Sequence, residues 1–126
     1  MREIKFRGKR TDTGEWVYGD LQHVQRINTK EEAEQSGRRT EPAVRIANYD
    51  VDEKTIGQFT GLYDMNGRAV YEGDLLQRDE NVVEVCWYDG TFCDAMSEMK
   101  DPLWFLYVED RTVVGNVHDN PELLTE

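Results

Sequence analysis

Cysteine is scarce in this 126-residue chain, which has only Cys86 and Cys93. Two are too few for a disulfide-stapled scaffold, and their spacing is too wide for a zinc knuckle, whose ligands sit about two to four residues apart. Histidine and serine are as sparse: His23, His118, Ser36 and Ser97 are all there is, and no motif orients a nucleophile beside a base. Gly57, Gly61 and Gly67 fit neither phosphate-loop spacing, and no Asp-x-Asp-x-Asp-Gly loop occurs. No stretch reaches the ~20 apolar residues of a membrane span. The opening MREIKFRGKR lacks the apolar segment of a secretory signal. These absences point to reduced thiols, a cytoplasmic location and no membrane. They offer no catalytic residue, no metal ligand set and no cofactor.

What is present describes a folded, acidic protein. The chain is 38% hydrophobic and 33% charged, with 3 Trp, 6 Tyr and 4 Phe, richer in aromatics than disordered chains. Its length suits one domain, residues 1–126, with an N-terminal half 1–50 packed on a C-terminal half 51–126 as the finer expectation. The net charge of −11 argues against direct nucleic-acid binding. That charge is unevenly spread. Residues 1–48 hold 10 basic and 8 acidic residues, whereas residues 49–126 hold 5 and 18.

Alternation marks the strands. Ile4 and Phe6 alternate with Lys5 and Arg7 until Gly8, which predicts a solvated edge strand showing Lys5, Arg7 and Lys9 on one face. Trp16–Leu21 interrupted at Gly19, Val44–Tyr49, Val82–Tyr88, Thr91–Cys93, Leu103–Val108 and Thr112–Val117 are further strands. Asp110-Arg111 would join the last two. Asn28–Gly37 has a cap, helix formers and a closing Gly but no apolar face, so it reads as a short solvated helix or a loop. Asp52–Phe59 reads as one helical turn or the approach to a strand.

Asp89-Gly90 is a strong hairpin signal. A two-residue loop there sets Tyr88 opposite Thr91, Trp87 opposite Phe92 and Cys86 opposite Cys93. Trp87 and Phe92 would then face the core beside Val83 and Val85, with the cysteines on the other face. About seven short strands with Gly and Asp turns predict a mainly β fold, β-rich α+β at most: a small antiparallel β-barrel-like domain with short helical turns.

One pattern occurs twice. Asp12-x-Gly14-x-x-Val17-Tyr18-Gly19-Asp20-Leu21 returns as Asp64-x-Asn66-Gly67-x-x-Val70-Tyr71-Glu72-Gly73-Asp74-Leu75. Both copies spell turn, strand and bend, with Gly at the bend because it reaches positive φ without steric cost.

Three blocks, Arg2–Leu21, Thr55–Leu76 and Val113–Leu124, resemble the YopX-like proteins of bacteriophages and prophages. The central run Gln58-Phe59-Thr60-Gly61-Leu62, followed by Asp64 and Tyr71-Glu72-Gly73-Asp74, is the most specific. The resemblance implies a phage or prophage accessory protein of a bacterial host cell, oligomeric and barrel-like, and carries over no catalytic residue. It makes Gln58, Thr60, Asp64, Glu72 and Asp74 a motif surface.

The leading expectation is a non-enzymatic, self-associating binding or scaffold protein, with a host or phage protein as a further partner. Its oligomer contact would use Lys5, Arg7 and Lys9 against acidic surface. Leu123 and Leu124 would add to it, since Asn120-Pro121 starts a helix too short to bury them. Two alternatives come from other classes: an acidic DNA mimic that inhibits a host DNA-handling protein, and a divalent-metal enzyme built on Asp64, Glu72 and Asp74.

Overall fold

A computed structural model describes residues 3–88, 90–95 and 108–124. The chain divides into two compact units, one spanning Lys5–Ile56 and the other Gly57–Glu126 together with Met1–Ile4.

The Lys5–Ile56 unit opens with a hairpin of β1 (Phe6–Lys9) and β2 (Trp16–Gly19), in register from Phe6↔Gly19 to Lys9↔Trp16. Gly8 lies inside β1 and does not end it. A Cβ there would approach the Ile46 and Val51 side chains to 3.2 Å, so β1 packs closely against them at this glycine. After the Gly19 bend come β3 (Leu21–Ile27), α1 (Lys30–Ser36), β4 (Thr40–Ile46) and β5 (Tyr49–Asp50).

The helical reading of Asn28–Gly37 holds. Thr29 and Glu32 form a reciprocal capping box, Gly37 closes the helix at φ 74, and no helical residue is buried. Val44–Tyr49, expected as one strand, is broken at Ala47-Asn48. Both residues have positive φ, 54 and 68, which makes the β4–β5 link a type I′ turn. Alternation passes through such a turn without a signal when Gly is absent. The unit's core is small: Ile46 and Val51 are its buried hydrophobics. A 3₁₀ turn at Glu53–Thr55 ends it, so the helical reading of Asp52–Phe59 covers its first half and a strand its second.

The second unit repeats the opening hairpin with β6 (Gly57–Tyr63) and β7 (Ala69–Tyr71). A four-stranded antiparallel sheet comes next in the order β10-β9-β8-β11, where β8 is Asp74–Arg78, β9 Asn81–Tyr88, β10 Thr91–Asp94 and β11 Thr112–Asn116. Val70, Leu76, Val83, Val85, Phe92, Val108 and Val113 form one buried cluster. The β9–β10 register is the one read from sequence, including Trp87↔Phe92 and Cys86↔Cys93. Asp89 itself lies outside the described residues. Trp87 meets Phe92 edge-on at 4.7 Å between centroids, yet is 49% exposed rather than in the core. The two cysteines form no disulfide, and Cys93 Sγ lies at hydrogen-bonding distance from the Thr91 carbonyl, 3.5 Å.

The sheet stays open, with β10 and β11 as edges among the described residues, so the mainly β class holds without a closed barrel. The expected strand at Leu103–Val108 lies outside the described residues except for Val108. Val108–Asp110 is a 3₁₀ turn that leads into β11. The eleven strands among the described residues exceed the expected seven because bends and turns cut the longer runs.

Candidate interaction surface

The residues of the central motif are turned inward. Thr60, Asp64 and Asp74 are buried, at 5%, 5% and 1% exposure. Gln58 and Glu72 are half-buried. The Thr60 hydroxyl donates to the Val70 carbonyl at 2.8 Å and accepts from Leu62 N–H at 3.1 Å, locking β6 to β7.

Asp64 holds the turn between them. Its Oδ1 accepts from Asn66 N–H at 2.9 Å and Arg68 N–H at 2.8 Å, and its Oδ2 from Val113 N–H at 2.9 Å. Burial pushes this carboxyl up, but the N–H groups of Val113, Arg68 and Asn66 together hold it below the ordinary aspartate value. At the second bend Asp74 Oδ2 accepts from Tyr71 N–H at 2.8 Å. Gly73, at φ 93, donates to Val85 and accepts from Val117. These acids therefore organise turns. Among the described residues no three His, Cys, Asp or Glu side chains gather as a metal group would require.

The predicted basic face is also partly internal. Arg7 is 4% exposed and its guanidinium lies over the Trp16 ring at 4.7 Å, with Lys9 Nζ over the same ring at 5.5 Å. Alternation assigned Arg7 to solvent because it cannot see an aromatic on the neighbouring strand that accepts the guanidinium by cation–π stacking. Lys5 and Lys9 are half-buried. Leu123 and Leu124 sit in a 3₁₀ turn starting at Pro121, with Leu123 39% exposed and Leu124 half-buried.

The surface that sequence reading missed is the β3–β4 ribbon. The two strands pair over seven positions, from Leu21↔Ile46 to Ile27↔Thr40. Side chains directly opposite share a face. One face therefore carries Leu21, Ile46, His23, Val44, Gln25, Pro42, Ile27 and Thr40, and the other Gln22, Arg45, Val24, Ala43, Arg26 and Glu41. The first face is apolar along most of its length. Its exposure rises outward, from Ile46 at 0% to Ile27 at 81%.

The other face carries the ion pairs, Arg26 with Glu41 at 3.7 Å and Arg45 with Asp50 at 2.7 Å. Arg26 also reaches Glu32 of the capping box at 3.0 Å. That bond, followed by those from Thr29, lowers Glu32 to about 2. In the sheet order β3-β4-β5, β3 is an edge among the described residues. It has no proline and a single charge, Arg26, so it lacks the devices that commonly blunt an edge. The only signal in the sequence was Val24 and Ile27 among polar neighbours, too weak a period to mark a strand.

At the outer end of the ribbon an open pocket of about 310 Å³ is lined by Lys30, Ala33, Glu34, Gly37, Arg38 and Arg39. Lys30, Arg38 and Arg39 make no ion pair among the described residues.

The family model described as YopX protein matches residues 5–125. Among solved structures, the chain is similar to protein EF1440 from Enterococcus faecalis, whose crystal structure matches with a TM-score of 0.58 at 26% identity, over 98% of this chain and 99% of that one. No curated protein matches the chain. No helix among the described residues is long and apolar enough to cross a membrane.

Proposed function

We propose that this chain, which belongs to the YopX protein family, is a non-enzymatic, self-associating binding or scaffold protein made during phage or prophage growth. One observation carries this reading. The β3–β4 ribbon bears an apolar stripe that ends at Ile27, 81% exposed, beside a strand that is an edge among the described residues. A two-stranded ribbon is marginal in water unless a third strand or a packed face supports it, and β5 reaches only Arg45 and Ile46 at its base. A second copy supplies the missing cover.

The central motif supports the same reading, because Asp64, Thr60 and Asp74 point their polar atoms at turn backbone. They serve architecture. The unit from Gly57 onward is thus a rigid platform, and the Lys5–Ile56 unit carries the interaction surface. A host or phage protein could then be held by the assembled oligomer.

Light scattering after gel filtration tests the proposal. The expected mass is a multiple of 14.7 kDa that falls on dilution. A single 14.7 kDa species at every concentration would contradict it.

A further inference from the structure

We infer that two copies join through β3 against β3, antiparallel about a two-fold axis at Val24. This rests on the proposed self-association and names its interface. Antiparallel strands related by a two-fold axis keep their faces, so residue pairs must match in parity. Centring on Val24 uses the whole strand. Leu21 then lies opposite Ile27 of the second copy, Gln22 opposite Arg26, His23 opposite Gln25, and Val24 opposite itself.

In this register apolar faces apolar and no like charges meet. Moving the axis to His23 sets Ile27 against Gly19 and Val24 against Gln22. Moving it to Gln25 sets Val24 against the Arg26 charge. Both alternatives lose apolar pairing at both ends of the strand.

Charge agrees with the Val24 register. Beyond Ile27, the next position places Asn28 opposite Asp20 of the second copy. Asp20 is exposed. Asn28 is tied to the basic end of the ribbon, its N–H donating to the Arg39 carbonyl at 2.8 Å and its side-chain amide to the Arg38 carbonyl at 2.9 Å. The uncompensated Lys30, Arg38 and Arg39 therefore come beside an acid of the other copy at each end of the interface. On the opposite face the two Val24 side chains and their Ala43 neighbours close a small apolar patch.

Two variants read the register. Val24→Cys, in a Cys86→Ser, Cys93→Ala background, should form an intermolecular disulfide under mild oxidation, because residues opposite in an antiparallel pair lie within disulfide reach. Gln22→Cys and Arg26→Cys alone should not cross-link, but mixed together they should. Val24→Lys, which opposes like charges at the axis, should raise the dissociation constant at least about tenfold. An oligomer that persists in Val24→Lys, with no Val24→Cys cross-link, would overturn this interface while leaving self-association standing. A chain that is monomeric throughout would overturn both.

Discussion

Val17-Tyr18 and Val70-Tyr71 occupy matching places in two hairpins of matching sequence, yet Tyr18 is 49% exposed and Tyr71 only 3%. The turns share glycine at nearly the same angle, Gly14 at φ 75 and Gly67 at φ 76, and both bends use a positive-φ glycine. The acids diverge. Asp64 is buried on three backbone N–H groups, whereas Asp12 is an exposed partner of Arg10 at 2.7 Å. The strand entered after each bend accounts for the difference. Leu75 enters β8, a central strand flanked by β9 and β11, while Leu21 enters β3, an edge. The same letters encode the same backbone path, and the neighbours decide whether it is buried.

The two units differ in charge as well. Lys5–Ile56 holds ten basic and ten acidic residues, so the whole net charge of −11 falls on the remainder. The Gly57–Glu126 unit, with Met1–Ile4, therefore carries the acidic excess. The unit with the ribbon is neutral, and long-range repulsion between copies is correspondingly weak there.

The largest break in the comparison should come from the two acids. Asp64→Ala leaves three N–H groups without an acceptor and should cost about 3 kcal/mol or more, read by urea unfolding. Asp12→Ala should leave the curve unchanged, because its ion pair is exposed. Equal losses would mean that the two turns are held alike.

Glycine gives the next contrast. A Cβ at Gly57 would lie 2.5 Å from the Glu72 carbonyl oxygen, a backbone atom, whereas one at Gly8 meets side chains at 3.2 Å. Gly57→Ala should therefore cost about 2 kcal/mol and Gly8→Ala less, with thermal midpoints as the measure.

Acidification should separate the units more gently. The folded pKa of Asp64 is depressed, so its contribution is complete above the unfolded value near ~3.9 and is lost as pH falls through the lower folded value. Asp64→Asn should flatten the acid side of the stability curve. Glu32, lowered to about 2, follows the same sign, but being exposed it should affect the local order of α1 rather than global unfolding. Amide chemical shifts of α1 across the titration would show this.

The smallest effect is a gain. Ala47 sits at φ 54, which a Cβ disfavours, so Ala47→Gly should stabilise the β4–β5 turn by about 0.5 to 1 kcal/mol. No gain in denaturant midpoint would mean the strain is relieved elsewhere.

The second unit was legible in sequence because its signals are local: Gly90 at φ 83 fixes a hairpin whose register is correct pair by pair, and Gly73 fixes the second bend. The first unit was less so. Its turn at Ala47-Asn48 uses no glycine, and β3 alternates too weakly to be read. The motif acids were visible but misplaced, since a sequence shows that Asp64 and Asp74 are close in number and not that backbone N–H groups consume them. Arg7 was missed for a similar reason, its partner Trp16 being set by strand pairing.

Amide hydrogen exchange at several protein concentrations tests the central claim, that one unit is a platform and the other carries the interface. β3 amides should gain protection as concentration rises, while β8 amides, buried at the centre of their sheet, should exchange only by global opening at every concentration. Protection in β3 that does not change with concentration, or a concentration-dependent gain confined to the Gly57–Glu126 unit, would contradict it.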